Sequence, residues 1–117
     1  MQTVVETPSY LADAERLFTP DERKAIVDRL AADPACGVAI PGTGGIRKAR
    51  FGFGGRGKSG GARIINLFSG ESLPVFVLAV FAKNEKANLS GAERNALGKM
   101  VTDMIGNYRR QNDKSRI

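Results

Sequence analysis

The sequence predicts a single α+β domain, an antiparallel central sheet packed with helices in the order β-α-α-β-β-β-α. Three observations predict it. Apolar residues recur at helical spacing behind clear cap signals at both ends of the chain. Runs rich in branched and aromatic residues fill the middle. The length of 117 residues, 42% of them hydrophobic, is that of one ordinary domain and is enough to bury a core.

Each element follows from local chemistry. Residues 2–6 form a short first strand. Thr7-Pro8, or Ser9, caps a helix that carries Leu11, Ala14 and Leu17 inward. Thr19 is the next N-cap, with Pro20 at the first helical position and Glu22 placed to close a capping box. Ile26, Val27, Leu30 and Ala31 then share a face, and Asp33-Pro34 ends the helix. Residues 34–45, with Pro41, Gly42, Gly44 and Gly45, read as a loop. Ile46 to Phe51 is a strand candidate. The stretch 52–61 reads as a flexible, basic, glycine-rich hairpin loop, and Ala62 to Phe68 as the returning strand. A turn at Gly70-Glu71 leads to Val75–Ala82, whose unbroken apolar run predicts a strand covered on both faces. Ser90 and Glu93 form a second capping box. Leu97, Met100, Val101, Met104, Ile105 and Tyr108 then line one face of the closing helix, and a polar tail begins at about residue 110.

Charge is distributed unevenly. The net charge of +6 comes from 18 basic and 12 acidic residues. Residues 1–45 carry four basic and seven acidic side chains, whereas 46–63 carry Arg47, Lys48, Arg50, Arg56, Lys58 and Arg63 with no acid. Such a block makes a local positive field whose natural partner is a polyanion. The single cysteine, Cys36, excludes an internal disulfide and fits a reducing, cytoplasmic compartment. It has no histidine to activate it and reads as an incidental thiol. No signal peptide is expected from MQTVVETPSY, and the longest apolar run is too short to span a bilayer as a helix. Histidine is absent, which removes the usual acid–base residue and the commonest metal ligand, and the carboxylates form no ligand-like cluster. No metal and no cofactor are expected. Chemistry in this chain runs on Lys, Arg, Glu, Asp or Tyr.

The strongest local signal is residues 42–65. On a strand, alternate side chains share a face, so Lys48 and Arg50 point one way and Arg47, Ala49 and Phe51 the other. If the strands pair, Lys48, Arg50, Arg63 and Lys83 converge on one surface. That surface would bind a phosphodiester. RNA also carries its own nucleophile, the 2′-hydroxyl, so a protein need only align it, move protons and neutralise charge on the phosphoryl oxygens. Arginine clamps such oxygens with its planar fork, and lysine is the better proton carrier among surrounding cations. The residues alone leave open whether the surface cleaves or only binds. Gly52, Gly57, Lys58 and Ser59 match the spacing of a Walker A loop, but a β-like run follows where that motif needs a helix. Phe51 and Phe53 are candidates for base stacking or for partial burial.

The runs GTGGIRKARF (42–51), GRGKSGGARII (55–65) and FAKNEKANLS (81–90) resemble the RelE/ParE superfamily of type II toxins, and within it the HigB-like branch. The resemblance implies a small RelE-like fold and a ribosome-dependent mRNA endoribonuclease that needs no metal and inhibits translation. It implies a cognate antitoxin, a helix-turn-helix protein like HigA, as partner. Further implied partners are mRNA in the ribosomal A site and 16S ribosomal RNA, with operator DNA reached only through the antitoxin complex. Position by position, Lys48 and Arg50 match the paired basic residues of the second strand, as base and charge stabiliser. Arg63 matches a phosphate-binding arginine and Lys83 a basic residue at the fourth strand's end. Arg47, Arg56, Lys58 and Lys86 are further candidates for RNA contact. Some relatives use a C-terminal tyrosine or histidine. Here Tyr108 sits on the apolar helix face, so Glu85 or a lysine is left as the acid–base group. The superfamily also contains gyrase-poisoning ParE-like members, and a non-catalytic RNA-binding protein of this fold is a further alternative.

Overall fold

The computed structural model describes residues 2–52, 61–70, 72–82 and 90–115. The chain runs β1 (Val4–Glu6), α1 (Pro8–Leu17), α2 (Pro20–Ala32), β2 (Val38–Ala39), β3 (Ile46–Phe51), β4 (Ala62–Leu67), β5 (Val75–Ala82) and α3 (Gly91–Ser115). The strands form one sheet in the order β1-β5-β4-β3-β2.

The expected antiparallel arrangement holds from β2 to β5, whereas β1 adds to β5 in parallel. The parallel edge is held by main-chain bonds at both ends: Val75 N–H donates to Thr3 O, and Thr7 N–H to Val77 O. The α1–α2 hairpin intervenes between β1 and the rest of the sheet, so the edge strand need not reverse direction. The stretch read as a loop holds the two-residue strand β2, paired through Val38 to Lys48 and Ala39 to Arg47. Both β2 residues are exposed, so no alternation of apolar and polar side chains marked them.

The helix starts follow their caps. Thr7 Oγ1 accepts from Tyr10 N–H at α1. At α2 the capping box is complete, with Glu22 N–H donating to Thr19 Oγ1 at 3.2 Å and Thr19 N–H donating to the Glu22 carboxylate at 2.9 Å. The same reciprocal pair joins Ser90 and Glu93 ahead of α3. Thr19→Ala is expected to cost about 1 kcal/mol in chemical denaturation, because it removes the acceptor for an otherwise unpaired helix N–H.

Two apolar layers sandwich the sheet. On one face α1 and α2 place Tyr10, Ala14, Ile26 and Leu30 against Ala49, Ala62, Ile64, Val75, Val77 and Val80. On the other, α3 places Val101, with Leu97, Met104, Ile105 and Tyr108 beside it, against Ile46, Ile65, Leu67, Phe76 and Leu78. Tyr108 meets Phe76 edge-on at a ring separation of 6.2 Å. Met100, expected inward, is 40% exposed at the rim of the stripe. The polar stretch from Arg109 continues α3 to Ser115. Among the described residues no helix is long and apolar enough to cross a membrane.

The continuous apolar run of β5 conceals an irregularity. Ile65 pairs with Ala79 but Asn66 with Val77, so Leu78 is an extra residue. The bulge reverses the alternation: Val75 and Val77 face α1 and α2, and so does Val80 beyond it.

Tyr10 is fully buried, and its hydroxyl has no hydrogen-bond partner among the described residues. Burial pushes its pKa up from 10.0 to about 12, helped by Glu6 and opposed by Arg23. A raised folded-state value favours the neutral hydroxyl. The associated stability is therefore complete below the unfolded value and is lost as pH rises from about 10 to about 12. Denaturant melts across this range are expected to lose about 1.4 kcal/mol per pH unit from this residue. Tyr10→Phe should remove that component of the slope while changing neutral-pH stability little.

Candidate nucleic-acid interface

The register of β3 on β4 brings basic residues together. Ile46 pairs with Leu67, Lys48 with Ile65, and Arg50 with Arg63. Ile46, Ile65 and Leu67 all pack on the α3 side. By strand alternation Lys48, Arg50 and Arg63 stand on that same side, toward the opposite end of the two strands. Arg63 is next to Phe81 of β5 and is 5% exposed, whereas Arg50 is exposed and Lys48 half-buried. No acidic residue occurs in β3, β4 or β5.

Directly opposed like charges on an antiparallel pair are unfavourable in the isolated protein. Arg50 opposite Arg63 sets two cations side by side, an arrangement that favours an anion next to them. A planar guanidinium on each strand, with an ammonium one step along, suits the oxygens of a phosphodiester.

Other candidates lie elsewhere. Arg47 is on the opposite side of β3, as its position in the strand predicts. Its guanidinium donates to the Gly37 carbonyl at 3.0 Å and to the Cys36 carbonyl at 3.4 Å. The structure thus keeps Arg47 out of the cationic cluster and uses it to hold the 36–37 segment. Arg56, Lys58, Lys83, Glu85 and Lys86 fall outside the described residues, as do Phe53 and most of the glycine-rich loop expected over 52–61. Phe51 packs partly into the layer under α1 and α2. Cys36 is buried, and desolvation pushes its thiol pKa up although Arg29 and Arg47 pull the other way. It is held as an unreactive thiol. Among the described residues no three His, Cys, Asp or Glu side chains form a possible metal site.

Sequence reasoning missed one feature, a cleft of about 330 Å³ at the outer edge of β3. Arg29 and Val38 contribute to it together with Lys48 and Arg50. Arg29 lies on α2, far from β3 in the chain, and nothing local marks it as a neighbour of the basic strand.

A family model for the RelE toxin of RelE/RelB toxin–antitoxin systems matches residues 39–114, more than half of the chain. The chain belongs to the RelE toxin family. The match runs from the end of β2 through α3, so it contains the cationic face of β3 and β4 and the helix packed beside it. As a RelE-family protein it is the toxin of a toxin–antitoxin system. The α1–α2 hairpin lies outside the matched span, and in this RelE toxin it carries five of the twelve acidic residues.

Proposed function

We propose that this toxin is a ribosome-dependent, metal-independent mRNA endoribonuclease of the HigB-like branch. It acts in the cytoplasm on mRNA in the ribosomal A site, contacts 16S ribosomal RNA, and is silenced by a helix-turn-helix antitoxin. The observation that carries the reading is the placement of Lys48, Arg50 and Arg63 on one side of an acid-free hairpin.

In this reading the 2′-hydroxyl attacks the adjacent phosphorus while the bond to the 5′-oxygen breaks. Lys48 takes the hydroxyl proton. Arg50 and Arg63 hold the non-bridging oxygens and are most effective as negative charge develops there. Lys83 or Glu85 returns a proton to the leaving oxygen. Because RNA supplies the nucleophile and the cations supply the charge, the scheme needs neither histidine nor metal. Arg56, Lys58 and Lys86 add phosphate contacts outside the reacting centre, while Arg47 stays on the 36–37 carbonyls.

Primer extension on a defined mRNA tests the reading, using purified toxin in EDTA with and without programmed ribosomes. Cuts that appear only with ribosomes are expected. Cuts on naked RNA would remove the ribosome requirement. A toxin that arrests growth but cuts nothing would overturn the nuclease assignment.

A further inference from the structure

The edge of β3 is only partly covered. Ile40 N–H donates to Ile46 O, and Phe68 N–H donates to Gly45 O. Main-chain groups alternate sides along a strand, so residues 46, 48 and 50 turn theirs toward β2. Ile46 and Lys48 meet Ile40 and Val38 there. The next position, facing Arg50, would be Cys36. Its N–H instead donates to Asp33 O, and its carbonyl accepts from Arg47. Arg50 therefore presents its main-chain N–H and C=O outward, with no strand beside them among the described residues.

The gap is built into the chain. Gly37 has φ +86°, and a Cβ there would lie 2.3 Å from the Lys48 carbonyl oxygen. Only glycine permits so close a crossing, after which the chain leaves the edge. The Arg47 guanidinium then fixes the departing carbonyls. The resulting cleft is walled by Arg29, Val38, Lys48, Ala49, Arg50 and Phe51, with three cations and no acid. Val38 is 68% exposed, an apolar side chain left open to solvent at its lip.

The geometry points to this cleft as a nucleobase subsite, taking the base next to the phosphate held by Lys48, Arg50 and Arg63. The inference rests on the nuclease reading for the position of that phosphate. A strand residue with a free edge offers a donor and an acceptor side by side. That pair matches a base edge bearing an adjacent acceptor and amino group, as adenine and cytosine do. Val38 and the Arg29 guanidinium supply apolar and planar surface for the ring. A peptide strand is the poorer fit, because among the described residues the open edge of β3 is a single residue long, and strand addition gains its affinity from several successive main-chain bonds. The cleft would thus give the enzyme a base preference at one position beside the cut, read by main chain rather than by a side chain.

Val38→Trp fills the cleft from an exposed edge-strand position, where a larger side chain costs the fold little. Cleavage is measured on programmed ribosomes with mRNAs randomised around the cut. Wild-type toxin is expected to discriminate among bases at one adjacent position, and the variant to lose about tenfold of that discrimination there, equivalent to one good paired contact. An unchanged base profile in a folded Val38→Trp variant overturns the subsite. In parallel, uncleavable 2′-O-methyl oligonucleotides carrying photoreactive 8-azidoadenosine beside the cut position are crosslinked to the wild-type protein. Crosslinks in residues 36–38 or 49–51 support the subsite even if the wild type fails to cleave, which would sink the nuclease reading alone. Crosslinks confined to other regions overturn it, as does amide protection at Arg50 that appears only with a protein partner.

Discussion

Arg63→Ala is expected to lower single-turnover cleavage on programmed ribosomes by about two to three orders of magnitude, the usual loss when one preorganised charge-stabilising group is removed. The fold should survive. Arg63 is buried, so the substitution deletes packed side-chain stem, but it also removes one of two cations forced opposite each other on β3 and β4. The two effects oppose each other in the stability measurement, whereas both the lost fork and the lost charge reduce catalysis. Arg63→Lys should fall between wild type and alanine, since it restores charge without the bidentate geometry. Circular dichroism melts alongside the rates separate the cases. A folded Arg63→Ala protein that cleaves at the wild-type rate would remove Arg63 from the chemistry.

The neighbouring residue should behave in the opposite way. Ile64 is fully buried on the other face of β4, among the side chains that α1 and α2 cover. Ile64→Ala is expected to cost about 2–5 kcal/mol of unfolding free energy, combining lost transfer energy with a cavity that a stiff sheet closes poorly. Below its lowered melting temperature the variant should keep a cleavage rate near that of wild type, because no atom of Ile64 reaches the cationic face. Urea titration with a rate measured well below the midpoint tests both halves. A stable but inactive Ile64→Ala protein would show that the two faces of β4 are coupled, contrary to the alternation on which the assignment rests.

Much of the fold was legible because its signals are local. Thr19 with Glu22, and Ser90 with Glu93, are reciprocal caps set by atoms three residues apart, and both form. Strand β3 has the expected bounds, and the basic strand residues could be assigned to faces from alternation alone. The features that escaped depend on partners distant in the chain. The parallel attachment of β1 rests on β5, about seventy residues away. Leu78 cannot be recognised as a bulge within an apolar run, because every residue in that run is suitable for either face. Met100 fits the helical stripe by spacing but sits at its rim, since the width of the buried stripe depends on how much sheet α3 covers.

The sequence by itself therefore determined the elements, their caps, the basic character of the β3–β4 hairpin and the absence of histidine chemistry. Each follows from residue type or from interactions within one turn or one strand. Tertiary structure decided which cations meet. Register put Arg50 directly against Arg63, and chain packing gave Arg47, already on the other face by alternation, the Cys36 and Gly37 carbonyls as partners. It also decided that Arg29 of α2 and Val38 of β2 share a cleft with Arg50. Such meetings depend on strand register and helix packing, whose energies come from surfaces far apart in the chain and leave no imprint on local spacing.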